Sequence, residues 1–149
     1  NARGYYVARV ICFSCDAEPE NHRYRLELID RRGSVDDVLA SVDLDPNAEP
    51  VDGVDFTFLF TTGEDYTLKA SVAGDTLIAK FWKSSELEPS DNPAETPKAA
   101  DPPNPEQRGR TIMINDASYT QGKIGLATNT TVNTFDNLAV GFTNNTTIN

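Results

Sequence analysis

Chemistry in a protein needs reactive groups at fixed spacings, and this sequence offers few of them. Its two cysteines stand as Cys12-Phe-Ser-Cys15. A closed zinc site needs four ligands, and these two cysteines with His22, the one histidine, fall short. A redox dithiol belongs at the start of a helix after a strand, and no helical pattern follows here. A disulfide between the two sulfurs requires residues 12–15 to turn. In an extended strand the α-carbons would stand about 10 Å apart, beyond the roughly 7 Å that a bridge spans. The expectation is a small disulfide-closed turn. His22 sits in a polar stretch, Pro19-Glu-Asn-His22, with no Gly-x-Ser-x-Gly elbow and no glycine-rich phosphate loop elsewhere. Glu27 and Asp30 are three residues apart, which on a strand sends the two carboxylates to opposite faces. Hydrolysis by a carboxylate pair needs both on one face at about 5–5.5 Å. No residue is therefore assigned a catalytic role, and the chain reads as a non-enzyme.

The elements that would position any site are short and β-rich, divided by Gly, Asp, Asn and Pro. Residues 4–13 are apolar on both faces, as in a strand covered on both sides. Over 23–30, Tyr24, Leu26 and Leu28 share one face and Arg23, Arg25 and Glu27 the other. Arg32-Gly33-Ser34 reads as a turn, after which Val38, Ala40, Val42 and Leu44 share a face. Residues 45–53 form a loop, and Val54, Phe56, Phe58 and Phe60 alternate along the next segment. Then Tyr66, Leu68, Ala70 and Val72 alternate up to Gly74-Asp75, a two-residue hairpin signal with Gly first. With those two residues as the loop, Val72 faces Leu77, Ala70 faces Ala79 and Leu68 faces Phe81. All these pairs are apolar, so turn chemistry and register agree. The opposite face pairs Ser71 with Ile78, Lys69 with Lys80 and Thr67 with Trp82.

That second face holds the candidate binding residues: Trp82, Thr67, Lys69 and Lys80. Sugars stack their C–H faces on aromatic rings, so an exposed Trp82 beside polar groups would suit a glycan. The alternative is that Trp82 packs under the long loop that follows, or against a second sheet. Lys69 and Lys80 face each other as like charges, a mild repulsion that solvent, an anionic glycan or another subunit would relieve.

Residues 84–109 carry six of the nine prolines and six acidic residues, a composition that predicts a long, exposed, mobile loop without strand or helix. Strands are expected again at 110–115, 123–128 and about 132–142. Eight or nine strands without a repeat predict an all-β antiparallel two-sheet sandwich, one domain over 1–149 with the Pro-rich acidic loop at 84–109. The net charge of −10 repels phosphate backbones and acidic lipid, which argues against nucleic acid. No apolar run approaches the length of a membrane span, so no membrane insertion is expected. Asn129-Thr-Thr, Asn144-Asn-Thr and Asn145-Thr-Thr match the glycosylation acceptor pattern.

From residue 65 onward the chain resembles the concanavalin A-like lectin/glucanase superfamily, and within it the laminin-G-like jelly-roll modules. The residues that carry the resemblance are Tyr66-Thr-Leu-Lys-Ala-Ser-Val, Gly74-Asp-Thr-Leu-Ile-Ala-Lys-Phe-Trp82, Tyr119-Thr-Gln-Gly-Lys-Ile-Gly-Leu-Ala127 and Phe135-Asp-Asn-Leu-Ala-Val140. The opening Gly4-Tyr-Tyr-Val-Ala-Arg and Tyr24-Arg-Leu-Glu-Leu look like middle strands of that fold. The resemblance implies a non-catalytic carbohydrate-binding or adhesion module of a secreted or surface-exposed protein, with a polysaccharide or glycan as partner. It also implies calcium at a loop end, for which Asp136 is the candidate; Asp136 equally suits the cap of a bend. The glucanases of that superfamily carry alternating acids of the form Glu-x-Asp-x-x-Glu, which this sequence lacks. Family members have further strands before the segment matching Gly4-Tyr5. An alternative expectation follows: a structural subunit of an extracellular filament, sheath or phage tail. Its missing N-terminal strands would come from an earlier segment of the same polypeptide or from neighbouring copies.

Overall fold

The computed structural model describes residues 4–14, 22–44, 63–95 and 109–119. Six strands lie within them: β1 (Gly4–Ser14), β2 (Arg23–Arg32), β3 (Val35–Asp43), β4 (Tyr66–Ala73), β5 (Thr76–Lys83) and β6 (Arg110–Asn115). They form two three-stranded antiparallel sheets, ordered β1-β2-β3 and β4-β5-β6. Among the described residues there is no α-helix, and the protein is all-β. The expected strands at 54–61, 123–128 and 132–142 lie outside the described residues.

The two sheets meet face to face, with β1 against β4, β2 against β5 and β3 against β6. One core fills the space between them. Leu26, Leu28 and Leu44 enter from the first sheet, and Leu77, Ala79, Phe81 and Ile112 from the second. Tyr6, Ala8, Val10 and Tyr24 pack around this centre. Every second residue of β2 turning inward is the physical basis of the layer, as the alternation at 23–28 predicts. Tyr66 stacks on Phe81 with ring centroids 5.7 Å apart.

The β4–β5 hairpin has the predicted register, Leu68 opposite Phe81, Lys69 opposite Lys80 and Thr67 opposite Trp82. Gly74 takes the positive φ (63°) that a two-residue hairpin loop requires at its first position. Gly33 does the same (φ 67°) between β2 and β3.

Three expectations are corrected. The face shared by Val38, Ala40, Val42 and Leu44 is broken by a β-bulge. Leu28 pairs with Ala40 but Ile29 with Val38, so Leu39 is the extra residue. Val38 consequently points to solvent, while Leu39 joins Ala40 and Val42 on the core. Strand β1 is not covered along its whole length: Tyr5 and Phe13 near its ends are exposed, while Val7, Arg9 and Ile11 between them are half-buried. Phe13 lies 4.3 Å below the Arg25 guanidinium instead. Finally, the first part of the Pro-rich loop is held against the outer face of the second sheet. It ends in a short 3-10 turn (Pro93–Glu95), with Asn92 Oδ1 accepting from the Ala94 amide at 3.0 Å and Pro at the first turn position.

Cys12 is disulfide-bonded. The sequence offers one other cysteine, Cys15, which lies outside the described residues. The β1–β2 ladder slips at this point, Cys12 pairing with Tyr24 and Ser14 with Arg23, so Phe13 is bulged.

Candidate functional site

The outer face of β4-β5-β6 gathers Thr67, Lys69, Lys80, Trp82 and Thr111 at neighbouring register positions. Residues 84–91 lie across it as a strap. Lys80 anchors it: the buried ammonium donates to Glu88 Oε1 at 2.7 Å, to the Pro89 carbonyl at 2.7 Å and to Asp91 Oδ1. Three acceptors match the three protons of an ammonium, which is how a buried lysine stays charged. Lys69 donates to the same Glu88 Oε1 at 2.7 Å. Thr111 Oγ1 donates to the Ser90 carbonyl at 2.7 Å, and the Thr67 and Ser84 hydroxyls meet at 2.8 Å.

Trp82 is only 7% exposed. Pro89 and Gly109 lie beside its Cβ: a β-carbon built on Gly109 would stand 2.6 Å from Trp82 Cβ, 2.7 Å from Pro89 Cγ and 3.1 Å from the Phe81 carbonyl oxygen. Of the two alternatives for Trp82, burial rather than an exposed platform is the one observed. The repulsion expected between Lys69 and Lys80 is relieved by Glu88 of the same chain, so the sequence reading of that pair missed its partner. A signal was present, because the acid-rich segment starts directly after β5 and is short enough to fold back.

Burial works to lower the Lys80 pKa, but the hydrogen bonds to Asp91 and Glu88 outweigh it and leave the group above its ordinary value. Hydrogen bonds from Lys69 and then Lys80 hold the Glu88 carboxyl below the ordinary carboxylate range. A lowered carboxyl stabilises the fold above its unfolded pKa of about 4.3 and loses that contribution as pH falls through the folded value. A raised lysine stabilises below about 10.4 and loses its contribution above that. Strap attachment should therefore be constant through neutral pH and weaken on acidification below about pH 4. Trp82 is the one tryptophan, so its emission reports the strap directly. A red shift that starts in acid before the loss of β-sheet circular dichroism is expected. Emission that stays flat until global unfolding contradicts the assignment.

A second polar cluster joins the sheets at one end. Tyr6 Oη donates to Asp116, and the Ser118 amide donates to Tyr6 Oη at 3.1 Å. Tyr119 Oη donates to the buried Asp30, whose other oxygen accepts from Arg32 Nε at 2.8 Å. The Tyr6 and Tyr119 rings meet edge-on with centroids 4.9 Å apart. A β-carbon on Gly4 would overlap the Tyr119 hydroxyl at 1.6 Å, so a side chain there would displace the outer end of that tyrosine. Burial and then the Asp116 bond raise the Tyr6 pKa, and the Asp30 bond with burial raises that of Tyr119. Both phenols thus remain protonated donors at neutral pH.

Glu27 and Asp30 lie on opposite faces of β2, as their spacing requires. Glu27 accepts from Arg9 on the outer face at 2.8 Å, in a network with Asp36 and Arg31, while Asp30 belongs to the tyrosine cluster. Asp136, the calcium candidate, lies outside the described residues. No group of three or more His, Cys, Asp or Glu side chains gathers as a metal site among the described residues. No helix among them is long and apolar enough to cross a membrane.

The class defined so far is an all-β, sandwich-like protein of two antiparallel sheets with an acidic strap pinned to one outer face. No protein-family model, curated protein or solved structure matches the chain.

Proposed function

We propose that this chain is a non-catalytic carbohydrate-binding or adhesion module of a secreted or surface-exposed protein, built as a concanavalin A-like, laminin-G-like jelly roll. One observation carries the reading: the outer face of β4 and β5 brings an indole, a threonine hydroxyl and two ammonium groups to adjacent register positions. With Trp82 and Lys80 buried, Lys69 is the exposed member of the set, through which the hydroxyl or acid groups of a polysaccharide would be met. The bonded state of Cys12 supports an oxidising compartment, where disulfides persist. Because Trp82 is buried, Lys69 at the rim is the group that meets a ligand first.

Affinity electrophoresis against a panel of neutral and acidic polysaccharides, run with and without calcium, tests this. Retardation that Lys69→Met weakens is expected, and a calcium-dependent part would point to Asp136. A structural packing role is the second reading. It is favoured by Leu68 and Val72, on the core side of β4, which are 44% and 53% exposed. Absence of retardation by every polysaccharide, together with ordered polymers in electron micrographs, would transfer the conclusion to that reading.

A further inference from the structure

We infer that Lys69 and Lys80 form a carboxylate subsite that Glu88 fills in cis, and that a polyuronate, an acidic polysaccharide, exchanges its own carboxylate for that of Glu88. This rests on the carbohydrate-binding reading above and names the ligand class of the same site. The hairpin register fixes the two ammonium groups side by side on one face, an arrangement that is repulsive until an anion sits between them. A single oxygen, Glu88 Oε1, lies 2.7 Å from both nitrogens. The site is therefore shaped to the reach of one carboxylate.

Its occupant is removable. The Glu88 side chain is 41% exposed and that of Lys69 53%, so their contact is open to water. That exposed pair is weak, whereas the Lys80 side chain is only 6% exposed and its contact with Glu88 is the stronger hold. Rotating Glu88 away leaves the strap backbone held by the Pro89 carbonyl on Lys80, the Ser90 carbonyl on Thr111 and Ser84 on Thr67. Asp91 continues to satisfy Lys80. Only a side chain has to move.

Tethering sets what can compete. Glu88 is present at the high effective concentration of any intramolecular partner, so a single free carboxylate is outcompeted. A polymer presenting many carboxylates along one chain offers many ways to fill the one site, a statistical gain set against the repulsion from the net charge of −10. The recognised ligand is thus a repeating acid rather than a monomer.

The test uses the full chain with polygalacturonate, its fully methyl-esterified form, galacturonate monomer and a neutral polysaccharide. Glu88→Gln keeps the shape and removes the competing charge. It should bind polygalacturonate about tenfold more tightly than the wild type. The gain should persist on galacturonate monomer at lower affinity, and vanish on esterified polymer and in the Lys69→Met/Glu88→Gln double variant. Equal binding by wild type and Glu88→Gln, or a gain that survives esterification or Lys69→Met, overturns the inference. Should Glu88→Gln fail to fold, wild type is compared with Lys69→Met, a change at an exposed position. Loss of polygalacturonate retention then supports the subsite and unchanged retention overturns it. Binding to the neutral polysaccharide without any Glu88→Gln gain overturns the subsite alone, whereas no binding to any polysaccharide by either protein overturns the carbohydrate reading with it.

Discussion

Leu26→Ala is expected to lower the unfolding free energy by about 2–5 kcal/mol, the range for deleting a buried leucine side chain whose surroundings cannot collapse onto the void. Leu26 is fully buried, lies on the central strand of its sheet and faces residues of the other sheet across the shared core. Against a total stability of about 5–15 kcal/mol, such a loss would be large. The informative comparison is Leu68→Ala. Leu68 occupies a core-side register position opposite Phe81 yet is 44% exposed, so little apolar surface is lost there. Its cost should stay below about 1 kcal/mol. Urea unfolding monitored by circular dichroism measures both. Equal losses at the two positions would mean that β4 is covered in solution, for instance by another copy of the chain.

The second large effect is expected at Gly109. An alanine there puts a β-carbon into Trp82, Pro89 and the Phe81 carbonyl at once. Two of these neighbours are a proline ring and a backbone atom, which have little freedom to give. Overpacking of this kind costs about 1–3 kcal/mol, and relief by lifting the strap would expose the indole. Gly109→Ala should therefore both destabilise the protein and shift Trp82 emission to longer wavelength in the folded state. An unchanged midpoint with unchanged emission would show that the strap does not press on Trp82.

What the sequence made legible was local. The alternation at Tyr24, Leu26 and Leu28 identified the inward face of β2, and Gly74-Asp75 fixed a hairpin register in which every pairing is the observed one. The bulge at Leu39 was not legible, because Val38, Leu39 and Ala40 are all apolar and alternation reads equally well with either neighbour inside. The strap was half legible. Prolines and acids at 84–95 do argue against strand, but they do not say whether side chains tie the segment down. That depends on Lys80, whose burial is set by the sheet. Glu88 therefore escaped notice although the Lys69–Lys80 pairing called for an anion. The Tyr119–Asp30 bond joins residues 89 apart in sequence, with no local pattern to announce it.

That tyrosine cluster also has a consequence for behaviour in the cold. The attraction between oily surfaces fades as water is chilled, so the leucine layer grips less firmly near freezing. Phenol-to-carboxylate bonds such as Tyr6 to Asp116 and Tyr119 to Asp30 do not share that weakness. Near the ice point these bonds should therefore carry a larger share of the hold between the described parts of the two sheets.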